Sequence, residues 1–278
     1  MGAVHIRGAK MKNLLIYDVN NWVRVKMAES LGGASILTLF TEVMANSREG
    51  KVQVFVSDGI NSRKKRRAIY PEYKAKRKPA DQSIYDGINT FKELLVNMPV
   101  NVLRIEIPEW EADDVIANLC EKTFNGLEVG VISTDRDLTQ LRVHPNVDTL
   151  KEPNVAPKWV KLYKVLVGDS SDNIPGVKSF GESSWDKLSD DFKDRVTVGL
   201  HLGKGTIADD VFCRLVEKEN LGKALKEKLC LENRMGLIKK WWRVVSFMDV
   251  PDELLRLESG TGLTYLNDEK IEQYGLGI

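Results

Sequence analysis

Four short β-branched runs in this sequence end on acid or lead to it. Asn13–Tyr17 is followed by Asp18, Val52–Ser57 by Asp58, and Val129–Thr134 by Asp135 and Asp137. Val102–Ile107 leads within four residues to Glu111, with Asp113 and Asp114 behind it. Asp169 and Asp172, in the stretch Gly168-Asp169-Ser170-Ser171-Asp172, are two further candidates. One such Asp reads as the cap of the next helix. A succession of them does not, because crowded carboxylates repel and raise one another's pKa. Divalent cations remove that cost, and oxygen-only ligands favour Mg²⁺ or Mn²⁺ over zinc.

The elements that must position these acids follow from spacing. Each run is five to seven residues long and is separated from the next by helix-length sequence. Strand–helix alternation of this kind predicts a mainly parallel buried sheet flanked by helices, an α/β fold. All strand C-termini of a parallel sheet share one edge, where open α/β folds place their ligands.

Between the second and third runs the composition changes. Residues 61–80 hold nine Lys/Arg and one Glu, a window of +8 in a chain whose formal charge is +1. The remaining residues therefore carry −7, and near-neutrality overall is a cancellation. The window interleaves Tyr70 and Tyr73 with its cations; Lys and Arg neutralise phosphates, and aromatics stack on exposed bases. Further on, Pro175-Gly176 and Gly181 mark tight turns before a helical pattern from about Ser183. A Gly-rich hairpin opening a helix exposes backbone N–H groups that hold phosphate without reading sequence. Acidic edge and basic insertion together point to phosphodiester chemistry.

The rest of the composition sets bounds. With 278 residues, 42% hydrophobic and 29% charged, the chain has an ordinary globular make-up and enough length for a sizeable core. No run approaches the ~18 apolar residues of a membrane span. Three cysteines without a C-x-x-C pair predict reduced thiols and a cytoplasmic setting. Residues 1–10 read as an extension ahead of the fold, with no secretory signal.

In this order, the motifs resemble the 5′ nuclease superfamily: flap endonucleases, phage 5′→3′ exonucleases and the 5′ nuclease domain of bacterial DNA polymerase I. The resemblance rests on Asp18, Asp58, Tyr70-Pro71-Glu72-Tyr73-Lys74-Ala75-Lys76-Arg77, Glu111-Ala112-Asp113-Asp114, Ser133-Thr134-Asp135-Arg136-Asp137 and Gly168–Val177. The size looks most like a stand-alone phage enzyme, which would act in the host cytoplasm.

The resemblance implies a PIN-like (resolvase-like) nuclease domain over residues 11–160, with a helical arch at about 61–90. A helix-three-turn-helix and C-terminal helical region would cover 161–278. One metal site would draw on Asp18, Asp58, Glu111 and Asp113, with Asp114 nearby. A second would draw on Asp135, Asp137 and Asp172, with Asp169 contributing directly or through water. Lys74 and Arg77 would lie over the scissile phosphate, and Tyr73 beside the reacting nucleotide. DNA would be held by Arg63, Lys64, Lys65, Arg66, Arg67, Lys76 and Lys78. The hairpin would add Gly176, Lys178, Gly181 and Ser183, often with a bound K⁺. The implied substrate is duplex DNA with a 5′ end or 5′ flap, and RNA in an RNA–DNA hybrid; the implied enzyme is a monomer with no membrane partner. Two cations roughly 4 Å apart activate a water and stabilise the leaving 3′ oxygen in such chemistry.

One departure stands out: the resemblance leads to a Lys at the position that Ser183 occupies, next to an added acid, Glu182. A PIN-type ribonuclease shares the sheet and acids but would not be expected to have the basic insertion or the hairpin. A non-catalytic junction-binding protein is the alternative from another class. Toward the C-terminus, Leu237–Val245 predicts an amphipathic helix with Trp241 or Trp242 in the core, and the Lys-rich 218–228 stretch reads as solvated helix surface.

Overall fold

The computed structural model describes Ala9, residues 12–29 and residues 34–260, the side chains of 34 and 35 excepted. The described chain divides into two compact units. The first comprises residues up to Ser62, Pro79–Glu152 and the chain from Asp249 on; the second comprises Arg63–Lys78 and Pro153–Met248.

The first unit is built on a six-stranded sheet in the order β5-β4-β1-β2-β3-β6. Its strands are β1 (Leu14–Asp18), β2 (Val52–Ser57), β3 (Val102–Glu106), β4 (Val129–Ile132), β5 (Val147–Thr149) and β6 (Glu258–Ser259). All neighbours are parallel except β3 and β6. β1 is central and buried at all five positions, as a strand covered on both faces must be. Its register sets Asp18 opposite Val56 of β2 and Tyr17 opposite Ile132 of β4. Thus β1, β2, β3 and β4 deliver their C-termini, and the acids that follow, to one edge.

An aromatic cluster fixes the helices on one face. Tyr17 stacks on Phe55 at 4.6 Å between centroids, and Trp22 meets Phe91 edge-on at 5.6 Å. Trp22 belongs to helix Val19–Glu29 and Phe91 to helix Gln82–Val96, so the strand ending on Asp18 and both helices share one core. Gly59 adds a close approach: a Cβ there would stand 1.8 Å from the carbonyl oxygen of Ile107. The loop after β2 therefore lies directly against the loop after β3.

The second unit is helical. Its helices are Lys64–Ile69, Val160–Val167, Glu182–Trp185, Asp190–Leu202, Asp209–Glu217, Lys223–Arg234 and Leu237–Val245. Trp185, Phe192, Phe212, Trp241 and Trp242 are all buried in one core, so both tryptophans of the expected amphipathic helix pack inward.

Four expectations change. The boundary expected near residue 160 gives way to an interleaved division, because residues 63–78 pack with the helical unit and the chain returns after residue 248 to add β6 beside β3. The basic segment is for the same reason not a single arch over residues 61–90. Of the expected N-terminal extension, residues 1–8 and 10 lie outside the described residues, but Ala9 is fully buried and its carbonyl fills the space beside Gly130. That position is sheet core. Finally, Cys213 and Cys230 are paired as a disulfide, with Cα atoms 5.4 Å apart on two adjacent helices; only Cys120 is a free, buried thiol. Two helices packed side by side bring these distant cysteines within bridging reach, which spacing alone did not reveal.

Candidate active site

At the sheet edge the acids are built into the turns that leave the strands. Asp18 is 5% exposed. One of its carboxylate oxygens accepts the backbone N–H of Asn21 at 3.1 Å, and the other accepts the Ser133 hydroxyl at 3.1 Å. Asp58 accepts the N–H of Ala112 at 2.8 Å, in the first turn of helix Ala112–Asn118. Asp135 accepts the N–H of Asp137 at 2.9 Å, and its own N–H donates to Ser133 Oγ at 3.1 Å. Capping and clustering therefore coexist: each of these acids satisfies a local donor while keeping acceptor capacity for another ligand.

Burial, followed by the charges of Asp58 and Asp135, pushes the Asp18 carboxyl up to about 7, against the opposing pull of the Asn21 N–H and Ser133 hydroxyl. The Asp18 carboxylate thus feels the charges of both neighbouring acids. Glu111 and Asp114 are buried as well, and Asp113 and Asp137 half-buried. An all-oxygen set whose negative charges oppose one another fits a hard divalent cation.

Two residues that escaped the sequence reading hold this edge together. The carboxamide oxygen of Asn20 accepts the N–H of Asp58 at 3.1 Å. That of Asn21 accepts both the N–H of Thr134, at 2.8 Å, and its hydroxyl, at 3.0 Å. Two asparagines that follow Asp18 and Val19 thereby tie the β2 and β4 loops to β1. The signal was an Asn-Asn pair two residues behind a strand-terminal acid.

The second unit treats its acids differently. Asp169 and Ile174 exchange backbone hydrogen bonds of 2.8 Å, closing the G-D-S-S-D loop on itself. Asp169 also accepts the Ser171 N–H and hydroxyl. The ammonium of Lys164, itself 5% exposed, reaches Asp169 at 2.8 Å and Asp172 at 2.9 Å. Burial pushes the Asp169 carboxyl up, but the Lys164 charge and hydrogen bond and the Ser171 donors outweigh it and bring it down to about 2.

The Tyr70–Arg77 segment docks on this loop. Tyr70 donates its hydroxyl to Asn173 O at 2.9 Å, Asn173 Nδ2 donates to Glu72 O at 3.0 Å, and Lys74 Nζ stands 3.8 Å from Asp172. Lys74 is 7% exposed and has a positive φ of 53°, while Arg77 is exposed. Three expected nucleotide contacts are corrected here. Tyr73 is 3% exposed in the helical core, with the Lys74 ammonium 4.8 Å from its ring centre, so it has no open face for a base. Arg66 is buried and donates to the carbonyls of Val244, at 2.9 Å, and Ser246, at 3.2 Å, which makes it a structural strut. Gly176 is buried with φ 68°, and a Cβ there would meet Val167 O at 2.7 Å, so packing requires glycine there. Gly181, by contrast, has open space around it. Arg67, Lys64, Lys76, Lys78, Lys178 and Ser183 are exposed, and Arg63 and Lys65 half-buried.

A cavity of about 490 Å³ lies between helix Gln82–Val96, β3 and residues 254–258. None of the candidate carboxylates lines it. The acids that follow the strands stand apart from it, at the sheet edge.

Comparison with known proteins agrees with this reading. Residues 29–165 match the family described as 5′-3′ exonuclease, N-terminal resolvase-like domain. This match and the relatives that follow support the 5′ nuclease superfamily. Among its relatives, DNA polymerase I of Caldicellulosiruptor bescii is 37% identical over 54% of this chain and 20% of its own length. The 5′-3′ exonuclease of Aquifex aeolicus is 37% identical over 42% of this chain and 45% of its own, and that of Bacillus subtilis 30% over 51% and 54%. The chain thus spans about a fifth of the polymerase and about half of each exonuclease. The solved structure of T5 5′-exonuclease with bound zinc shares the fold, with a TM-score of 0.62 at 20% identity over 84% of this chain and 88% of that one. Among the described residues no helix is long and apolar enough to cross a membrane.

Proposed function

We propose that this protein is a divalent-metal-dependent, structure-selective 5′ nuclease that cuts DNA duplexes bearing a 5′ end or 5′ flap. RNA paired to DNA is a second substrate class, because recognition through phosphates and junction shape does not need a deoxyribose. The observation that carries the reading is the coupling of Asp18, Asp58 and Asp135 at the sheet edge, with Asp18 held up to about 7. Support also comes from relatives named 5′-3′ exonuclease and from a T5 structure described as a pseudo-enzyme-product complex with DNA and metal ions.

Asp18, Asp58, Glu111 and Asp113 would hold one Mg²⁺, with Asp114 behind them, and Asp135 and Asp137 would offer ligands to a second. When bound, such ions activate water and neutralise the leaving 3′ oxygen of a phosphodiester. The chain's own residues orient and compensate. Asn20 and Asn21 fix the carboxylate loops, and Arg77 meets the charge that develops on the phosphate. Lys74 joins Arg77 only by exchanging Asp172 for phosphate.

A 5′-labelled flap substrate tests the proposal. Mg²⁺ should yield labelled flap or mononucleotide, the first reporting endonucleolytic and the second exonucleolytic action. EDTA, Asp58→Ala and Asp135→Ala should each remove cleavage, while the variants keep their fold and most of their DNA binding. Undiminished cleavage by both variants would sink the assignment. Preferential cutting of single-stranded RNA would point to a PIN-type ribonuclease instead.

A further inference from the structure

Just past the Pro175–Gly181 hairpin, position 183 lacks the cation that the sequence resemblance leads one to expect. Position 183 is an exposed serine, and the neighbouring Glu182 accepts the Tyr163 hydroxyl at 3.0 Å. A different part of the second unit reaches the hairpin. Lys228, on helix Lys223–Arg234, donates from Nζ to Ser179 Oγ at 3.3 Å. Four residues on, and so on the same helix face, the Glu232 carboxylate lies near the Lys178 backbone and within electrostatic reach of Lys228, while burial pushes its carboxyl up. One Glu232 oxygen is buried without a hydrogen-bond partner.

The turn that results is shaped for an anion. Ser179 has φ 70°, is exposed, and its N–H donates to no acceptor among the described residues. Lys178 is exposed beside it, and Lys228, half-buried, approaches from the helix. Two ammonium groups and a free amide N–H at one hydroxyl-bearing turn match the chemistry of a single backbone phosphate. Lys228 is also preplaced. Its hydrogen bond to Ser179 fixes a side chain that would otherwise lose rotamer freedom on binding.

We propose that Lys228 supplies the phosphate-binding cation that Ser183 does not, so that Lys178 and Lys228 together grip one phosphate of the DNA backbone at Ser179. This rests on the nuclease reading and adds to it a contact outside the hairpin sequence. The contact is to phosphate, so it contributes affinity and no base preference.

The test is the salt dependence of flap-duplex binding, followed by fluorescence anisotropy in EDTA so that cleavage plays no part. Lys228→Ala should lower the magnitude of the slope of log affinity against log salt by about 0.9, the value of one lost phosphate contact. Lys228→Arg should keep the wild-type slope, and Lys223→Ala, an exposed charge at the start of the same helix, should keep it too. Adding Ser183→Lys to Lys228→Ala should restore the slope. Melting curves confirm that each variant is folded. A wild-type slope in folded Lys228→Ala, or a double variant no better than the single one, would overturn the proposal and leave the nuclease reading standing. Failure of the wild-type protein to bind the duplex would overturn both.

Discussion

At the sheet edge, Asp18 is buried among Asp58, Asp135, Asn21 and Ser133, forms no ion pair among the described residues, and titrates near 7. In the helical unit, Asp169 has the Lys164 ammonium 2.8 Å away and titrates near 2. These are acids of one type at motif positions of one family, under opposite electrostatic conditions. The sheet unit buries the Asp18 carboxylate beside the like charges of Asp58 and Asp135, so a divalent cation bound there relieves repulsion already present. The helical unit carries its own counter-ion, and its acids keep their places without metal. A charge at the sheet edge should therefore be destabilising in the metal-free protein, whereas a charge in the G-D-S-S-D loop is already paired.

Removing one charge from each side should separate the two regions most clearly. Lys164→Met strands Asp169 and Asp172 in a buried setting and should cost about 3–5 kcal/mol in urea unfolding without metal. A loss below the scatter of such measurements would show that the loop does not depend on its counter-ion. Asp18→Asn should do the reverse. It keeps one acceptor for the Asn21 N–H, replaces the other by an NH2 donor to which the Ser133 oxygen must turn, removes the repelling charge, and should stabilise the metal-free protein by about 2–4 kcal/mol above neutral pH while abolishing cleavage. Destabilisation by this isosteric change would contradict the repulsion at Asp18.

Arg66 and Lys76 belong to the same basic window but should differ in kind. Arg66→Met leaves the Val244 and Ser246 carbonyls without their donor and should cost about 2 kcal/mol, read as a lower urea midpoint. Lys76→Ala should leave the unfolding midpoint where it is and flatten the salt slope of DNA binding by about 0.9. Equal effects of the two on stability would show that the window is not divided into strut and contact. At the small end of the stability scale, Asn21→Ala loosens the β4 loop by about 1 kcal/mol. Its effect on cleavage should be larger, about 10–100-fold, because the Asp135 loop loses its tie to β1. Unchanged turnover would remove Asn21 from the positioning set.

Much of the sheet unit was legible in sequence because its chemistry is local. The β-branched runs at 13–17, 52–57, 102–107 and 129–134 became β1 to β4, and the acid behind each run reached the C-terminal edge that parallel pairing imposes. β5, with three residues, and β6, with two, are too short for any periodicity to register. The basic window was read correctly as charge and incorrectly in part as surface. Arg66 and Tyr73 look like their exposed neighbours in sequence, and only packing against residues some 90 to 180 positions away turns them inward. The same long range hid Asn20, Asn21 and Lys228, each of which acts on a loop that the sequence places far from it. The neutral total charge conceals both arrangements, since it averages a repelling acid cluster with one that is already paired.

The central claim is that the sheet edge is a carboxylate cluster waiting for a cation, and metal-free thermal unfolding across pH tests it most directly. Asp18 has a folded pKa raised above its unfolded value, so stability should be greatest below about pH 4 as far as this group is concerned. It should fall as pH rises through about 7. The account predicts that the melting temperature of the wild-type protein in EDTA falls between about pH 5 and about pH 8 relative to that of Asp18→Asn, and that Mg²⁺ abolishes the difference. Parallel pH profiles for the two proteins in EDTA, with no response of the wild type to Mg²⁺, would contradict it.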